Sequence, residues 1–416
     1  MLYQRWREIA RKHAPRMALH ELATGRRWTF DQLAAVIDSA PRAAGLVAHP
    51  RGLGAHFIVE VATAWRDGQI VCPLETDQPP PELPTLPPEC AHLKTTSATT
   101  AAARLIAFTG PQIAADADNI IATMGLRPEW PSLGLISLAH SYGFSNLVTP
   151  LLLGGIPLVL ADSPLPESFR RAAASVSDCT VAAVPALWRT WLEAGVLGSS
   201  IRLAISAGAP LPVALEEEIF SRHSLKVHNF YGASECGGIA FDRSATPRQD
   251  ASCVGQAMEN VRLRTIDGCL QVRSQAVGQT YWPEAVDTLA PGIFRTSDLA
   301  ELRDGNVLLR GRASDQMNVA GRKISPESIE RLLLTHPSVK ACVVFGAPSA
   351  DADRSDSIVA CLQTVDVLDA GALRHFLLDK VPAWQIPRDW WFVDSIPTNA
   401  RGKISRADWR QRYLAR

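Results

Sequence analysis

Residues 201–238 read IRLAISAGAPLPVALEEEIFSRHSLKVHNFYGASECGG. An apolar run, "IRLAISAG", ends in a glycine-proline loop. A helical stretch, "LPVALEEEIFSRH", follows, and then a second apolar run, "KVHNFYG", ends in a loop of small and polar residues. Strand, loop, helix, strand, loop is the unit of a parallel sheet with helices packed on its faces. The same alternation extends upstream to Arg104 and downstream to about Leu309, through "LGLISLA", "IPLVLA" and "CTVAAVP". In such sheets ligands bind beyond the carboxyl ends of the strands. Those ends carry "SLAHSYG", "SAGAPLP" and "YGASECGG".

The chain has 416 residues, which suggests two or three domains, and 47% of them are hydrophobic, ample for sizeable cores. Lys plus Arg and Asp plus Glu number 42 each. That balance argues against a nucleic-acid binder acting through a general basic field, so no nucleic-acid partner is expected. Eight cysteines show no Cys-x-x-Cys pair and no zinc-ligand spacing, which reads as free thiols in a reducing compartment. No apolar signal core opens the chain, and "NLVTPLLLGGIPLVLA" is too broken by proline and glycine to span a membrane. The expectation is a soluble, cytoplasmic protein without a membrane partner.

Prolines crowd residues 73–90, "PLETDQPPPELPTLPPEC", marking an irregular surface connector. Asp304-Gly305 reads as a hairpin turn. Beyond it the last hundred residues form a small α+β unit, including a helix with Ser325 at its N-cap and a closing helix from Ser405. The expected fold is α/β: a large N-terminal domain, residues 1–311, with mostly parallel sheets, and a small mobile α+β lid, residues 312–416, hinged near 311–315.

Five segments stand in order: "SAGAPLP", "NFYGASE", "FRTSDLAEL", "LLRGRASDQMNVAGRKISPESIE" and "IPTNARGKISR". Each alone is weak. Together they resemble the adenylate-forming superfamily, which includes acyl- and aryl-CoA ligases, the adenylation domains of peptide synthetases and firefly luciferase. The resemblance is clear from about Ile201 onward and faint before it. It implies that the enzyme joins a carboxylate to the α-phosphate of ATP, releases pyrophosphate and passes the acyl group to a thiol. ATP and Mg²⁺ are then the expected cofactors.

By that resemblance Glu235 holds Mg²⁺, and Ser234, in place of the commoner threonine, donates a hydroxyl to phosphate. Tyr231 lies along adenine with Gly232 beside it, and Gly208, Ala209 and Pro210 border the other side. Asp298 takes the ribose hydroxyls with Arg312 as companion, although Thr296-Ser297-Asp298 stands where the family has Thr-Gly-Asp. Lys403, in the Pro-x-x-x-x-Gly-Lys pattern of Pro397, Gly402 and Lys403, is the adenylation lysine. A compact ammonium suits the charge that develops between carboxylate and α-phosphate. A lid that rotates after adenylation implies a hinge at Ser314 and a thiol-acceptor loop at Gly321.

The resemblance breaks at the phosphate loop. Where a Ser/Thr/Gly-rich run ending in lysine should follow "RLIAF", the chain has only Thr109 and Gly110 of "TGPQIAAD". Most of the backbone amides of an anion nest are missing. Two readings stay open: a trimmed loop that still supports adenylation, and a binding module that kept the fold and lost the chemistry.

"SLAHSYGF" resembles the family's His-x-x-Gly motif, which sets His140 beside the acid's carboxylate and Tyr142 or Phe144 nearby. Gly232, Cys236, Gly237 and Gly238 are small and predict a roomy pocket floor. These residues lean toward an aromatic acid of the hydroxybenzoate or hydroxycinnamate kind, with a straight-chain fatty acid as the alternative. The acceptor thiol is coenzyme A or the phosphopantetheine arm of an acyl carrier protein. Arg322, Lys323 and Arg401 suit either one, and equally a plain solvated face.

Overall fold

The computed structural model describes residues 1–95, 104–319, 321–348, 356–366, 368–397 and 404–416. Its larger sheet has fourteen strands among these residues and is mixed. The alternating segments build its parallel half. Val227–Ala233 pairs with Ile201–Ser206, which pairs with Cys179–Ala183 and on through Ser132–Gly134 and Leu158–Leu160 to Met17–Glu21. These strands are short and apolar because helices cover both faces; every residue of Cys179–Ala183 and Leu158–Leu160 is buried.

The sheet changes hand at Gly237–Phe241, which folds back antiparallel on Val227–Ala233. From there the neighbours are antiparallel out to Arg262–Ile266. Within this half the turn predicted at Asp304-Gly305 joins Ile293–Arg303 to Asn306–Arg312, with both turn residues at positive φ.

Two expectations need correction. "LGLISLA" supplies only the three-residue strand Ser132–Gly134, and the chain then bends toward His140. "RLIAF" does not join the parallel series. Leu105–Phe108 lies in a separate five-stranded sheet, antiparallel to both His92–Thr95 and Thr280–Trp282. The two sheets share one apolar core, in which Trp6, Phe57, Phe108 and Phe144 are fully or almost fully buried. The proline connector holds no regular element, and Trp282 pins it by donating its indole N–H to the Thr85 carbonyl at 3.1 Å.

From Met317 onward the described chain has its own small cores. The hairpin Met317–Val319/Arg322–Ile324, the strands Val339–Pro348, Asp356–Thr364 and Asp389–Phe392, and the helices Pro326–Leu333 and Ala370–Leu378 pack around Ile329, Val344 and Leu362, while Trp409 of the closing helix packs with Val343, Phe345 and Cys361. The helix Pro326–Leu333 follows Ser325, whose hydroxyl bonds Glu327 instead of capping a backbone amide. Ser405 caps the closing helix Arg406–Leu414 by accepting from the Asp408 amide at 3.3 Å. All eight cysteines are free thiols, buried or half-buried. Among the described residues no helix is long and apolar enough to cross a membrane.

Candidate active site

The stretch after Val227 forms a hairpin tip. Ala233 pairs with Gly237, so Ser234, Glu235 and Cys236 make a three-residue loop at the carboxyl edge of the parallel strands. Two glycines make this tip possible. A Cβ on Gly232 would lie 2.7 Å from the Gly237 carbonyl oxygen, and Gly237 itself has φ +69°.

Glu235 is held from two directions. Its backbone carbonyl accepts the Gly278 N–H at 2.8 Å, and its Oε1 accepts the Tyr281 hydroxyl at 2.9 Å. Tyr281 comes from Thr280–Trp282, opposite Ile106 of the second sheet. Burial raises the Tyr281 pKa, and the Glu235 charge raises it further, so the phenol remains a donor. Tyr281 carries no motif. Only the pairing of a remote strand brings it here, and sequence reasoning missed it.

The aspartate expected to take ribose and its companion lie directly across an antiparallel ladder, Asp298 opposite Arg312. Asp298 Oδ1 accepts Arg312 Nε at 3.0 Å, and Oδ2 accepts the Tyr231 hydroxyl at 2.5 Å. Burial first, then the Asp298 carboxylate, pushes the Tyr231 pKa well up, so this phenol also stays protonated. Thr296 braces the aspartate by accepting its amide at 3.0 Å. Ser297 needs no positive φ and is exposed, so it stands in for glycine without strain. Gly208, with φ +84°, begins an exposed turn with Ala209 and Pro210 after Ile201–Ser206, on the same sheet edge.

Ser234 meets the loop after Ser132–Gly134 directly: the Ser141 hydroxyl donates to Ser234 Oγ at 3.1 Å. His140 caps the short helix there, its Nδ1 accepting the Tyr142 amide at 3.3 Å. That bond leaves the proton of a neutral ring on Nε2, where it can donate to a carboxylate. Tyr142 turns its hydroxyl onto the Ala183 and Ile205 carbonyls, 3.4 Å from each. Its ring centroid lies 5.9 Å from that of Phe230. A π-helical turn, Phe144–Val148, continues the segment.

The roomy pocket floor is not found. Cys236 is fully buried, and burial raises its thiol pKa far above the usual value. A Cβ on Gly237 would lie 1.9 Å from Asp116 Oδ1, and one on Gly238 would lie 2.2 Å from Met258 Sδ. These small residues admit neighbouring side chains, not empty volume. Thr109 and Gly110 likewise form no phosphate loop. Thr109 is the single residue between Leu105–Phe108 and the helix Gly110–Met124; its amide is taken by Gln112 Oε1 at 2.8 Å, and Gly110 packs beneath Met1.

Ser314 sits exposed in the 3-10 turn Ala313–Asp315, and Gly321, at φ +76°, in the hairpin after it. Arg322 lies over the Trp384 ring at 5.3 Å. Lys403 and Arg401 lie outside the described residues. Arg406, which follows them in sequence, binds Asp315 at 2.5 Å and Glu327 and Glu330 at 3.0 Å each.

Comparison with known proteins shows the family. The profile of the AMP-binding enzyme family matches residues 33–282, and that of the AMP-binding enzyme C-terminal domain matches 328–403. The chain therefore belongs to the AMP-binding enzyme family. It is 26% identical to the mitochondrial malonate–CoA ligase ACSF3 of Mus musculus, over 66% of this chain and 56% of that protein. It is 25% identical to a feruloyl-CoA synthase of Amycolatopsis sp, over 81% of this chain and 72% of that one. Among solved structures, ATP-bound MatB from Rhodopseudomonas palustris shares the fold, with a TM-score of 0.84, 18% identity and 96% coverage of both chains.

Proposed function

We propose that this protein uses ATP to convert a carboxylic acid to its acyl adenylate and then transfers the acyl group to a thiol. A carboxylate oxygen attacks the α-phosphorus and pyrophosphate leaves. A thiolate then attacks the acyl carbon and AMP leaves. The observation that carries this reading is the convergence, on one sheet edge, of the Tyr231–Asp298–Arg312 cluster with the Glu235 hairpin tip.

Asp298 accepts from the ribose hydroxyls, and Arg312 orients it. A single well-placed carboxylate with a neighbouring hydroxyl, Glu235 and Ser234, fits Mg²⁺, which takes one or two protein oxygens and leaves the rest of its shell to phosphate and water. When bound, the ion neutralises phosphate charge. His140 Nε2–H orients the attacking carboxylate. Lys403, in the C-terminal unit, offsets the charge that develops at the α-phosphate.

Residues 312–416 are then a lid that turns about Ser314, supported by the separate core from Met317 onward. The rings of Tyr142 and Phe230 near the tip favour an aromatic acid. The malonate and ferulate relatives keep small and aromatic acids in view. Coenzyme A and a carrier-protein phosphopantetheine both remain as acceptors.

A second reading, a binding module without adenylation, draws on the single-residue connection between Leu105–Phe108 and the following helix. Pyrophosphate release from ATP and Mg²⁺, without thiol, against aryl, cinnamyl and straight-chain acids separates the two. Release with one class supports the ligase and identifies its acids. Silence across the panel at high ATP, with folded protein, favours the binding module.

A further inference from the structure

Behind the hairpin tip lies a set of buried charges that the mechanism does not use. Asp116, on the helix Gly110–Met124, reaches the strand after Glu235: its Oδ1 accepts the Gly238 amide at 3.2 Å and its Oδ2 accepts the Ser145 hydroxyl at 2.6 Å. Lys94, on His92–Thr95, lies beside them with only 3% of its side chain exposed. Its contacts among the described residues are long: Ser145 Oγ at 3.5 Å, Asp116 Oδ2 at 3.8 Å and the face of Phe108 at 4.6 Å. The carboxylate has two good hydrogen bonds, whereas the ammonium has three donors and one marginal acceptor. His92, two residues earlier on the same face of the strand, is 1% exposed, and its Nδ1 has no partner among the described residues.

The segment from Ser141 ties this cluster to the reaction centre. Ser141 contacts Ser234 at the tip, and Ser145, four residues on, contacts Asp116 and Lys94. The same short segment thus touches the tip at one end and the buried cluster at the other.

We propose, on the basis of the ligase reading, that the acid carries an oxygen acceptor opposite its reacting carboxylate and that Lys94, braced by Ser145 and Asp116, receives it. Lys94 is then a specificity-determining residue for a hydroxyl- or carboxyl-bearing aryl acid. A buried ammonium that lacks acceptors rejects a ring that brings none.

The test compares benzoate, 4-hydroxybenzoate and benzene-1,4-dicarboxylate in two assays: calorimetric binding without nucleotide, and pyrophosphate release with ATP. Wild type is expected to favour an oxygen-bearing acid over benzoate by about 10-fold or more, the scale of one hydrogen bond to a charged group. Lys94→Met should abolish that preference, the oxygen-bearing acids losing and benzoate gaining. Ser145→Ala keeps the Lys94–Asp116 pair, covers the case in which Lys94→Met does not fold, and should reduce the preference partially. Equal losses for all three acids, an unchanged preference in both variants, or no binding of either oxygen-bearing acid to wild type overturns the proposal. A binding preference without pyrophosphate release rejects the ligase reading and leaves this inference standing. Release without preference does the reverse.

Discussion

Tyr281 shows how one hydroxyl prepares a carboxylate for work. Without it, Glu235 at a hairpin tip would sample several rotamers, and, if Glu235 holds Mg²⁺ as proposed, ordering it would cost entropy at each turnover. A hydrogen bond to a charged acceptor contributes about 1.5–3 kcal/mol. Tyr281→Phe should therefore raise the Mg²⁺ concentration for half-maximal pyrophosphate release by about 10-fold and lower thermal stability modestly. A Mg²⁺ titration of both proteins checks this, and an unchanged midpoint would leave the tyrosine a packing residue. The Tyr231–Asp298–Arg312 cluster differs in origin. Its three residues sit in segments that the sequence already marked, and only the identity of the hydrogen bonds awaited the fold.

At the scale of elements, the helix Val213–His223 and the strands Val227–Ala233 and Gly237–Phe241 are joined by a buried ion network. Glu216 is fully buried and binds Lys226 and, at 2.9 Å, Arg248; Lys226 also binds Asp242 at 2.6 Å. This network anchors the start of the strand that carries the hairpin tip. Lys226→Met would leave Glu216 with Arg248 and strip Asp242 of its buried counter-ion. Breaking a buried ion pair costs about 3–5 kcal/mol, so the midpoint of urea unfolding should fall accordingly. The parallel strands and their helices were legible as elements because apolar runs and helical periodicity are local signals. The placement of Leu105–Phe108 was not legible, because a four-residue apolar run is the same in a parallel or an antiparallel ladder.

For the whole molecule, the C-terminal unit has its own core, and Arg331 crosses to the larger part by donating to the Leu309 carbonyl at 3.1 Å. If that unit is a lid, Lys403 serves only the half-reaction in which it covers the site. Lys403→Ala should lower pyrophosphate release by at least about 100-fold, on the scale of losing one preorganised electrostatic group. Thioester formation from preformed acyl adenylate should be retained. Equal loss of both steps would argue against a lid that delivers the lysine for one of them.

By itself the sequence determined the alternating α/β architecture and, through the resemblance of five ordered motifs, the family and the segments proposed to bind nucleotide. The architecture is carried by local signals: turn glycines and apolar periodicity. Tertiary structure alone decided what fills the space behind those segments. Gly237 and Gly238 read equally well as open floor or as cover for a neighbour, and Asp116 and Met258, far away in sequence, settle which. The same holds for Lys94 and Tyr281, each an unremarked residue of a short strand until sheet pairing carries it to the site. Side chains from separate strands converge only once the chain has closed its core, and no local pattern records that convergence.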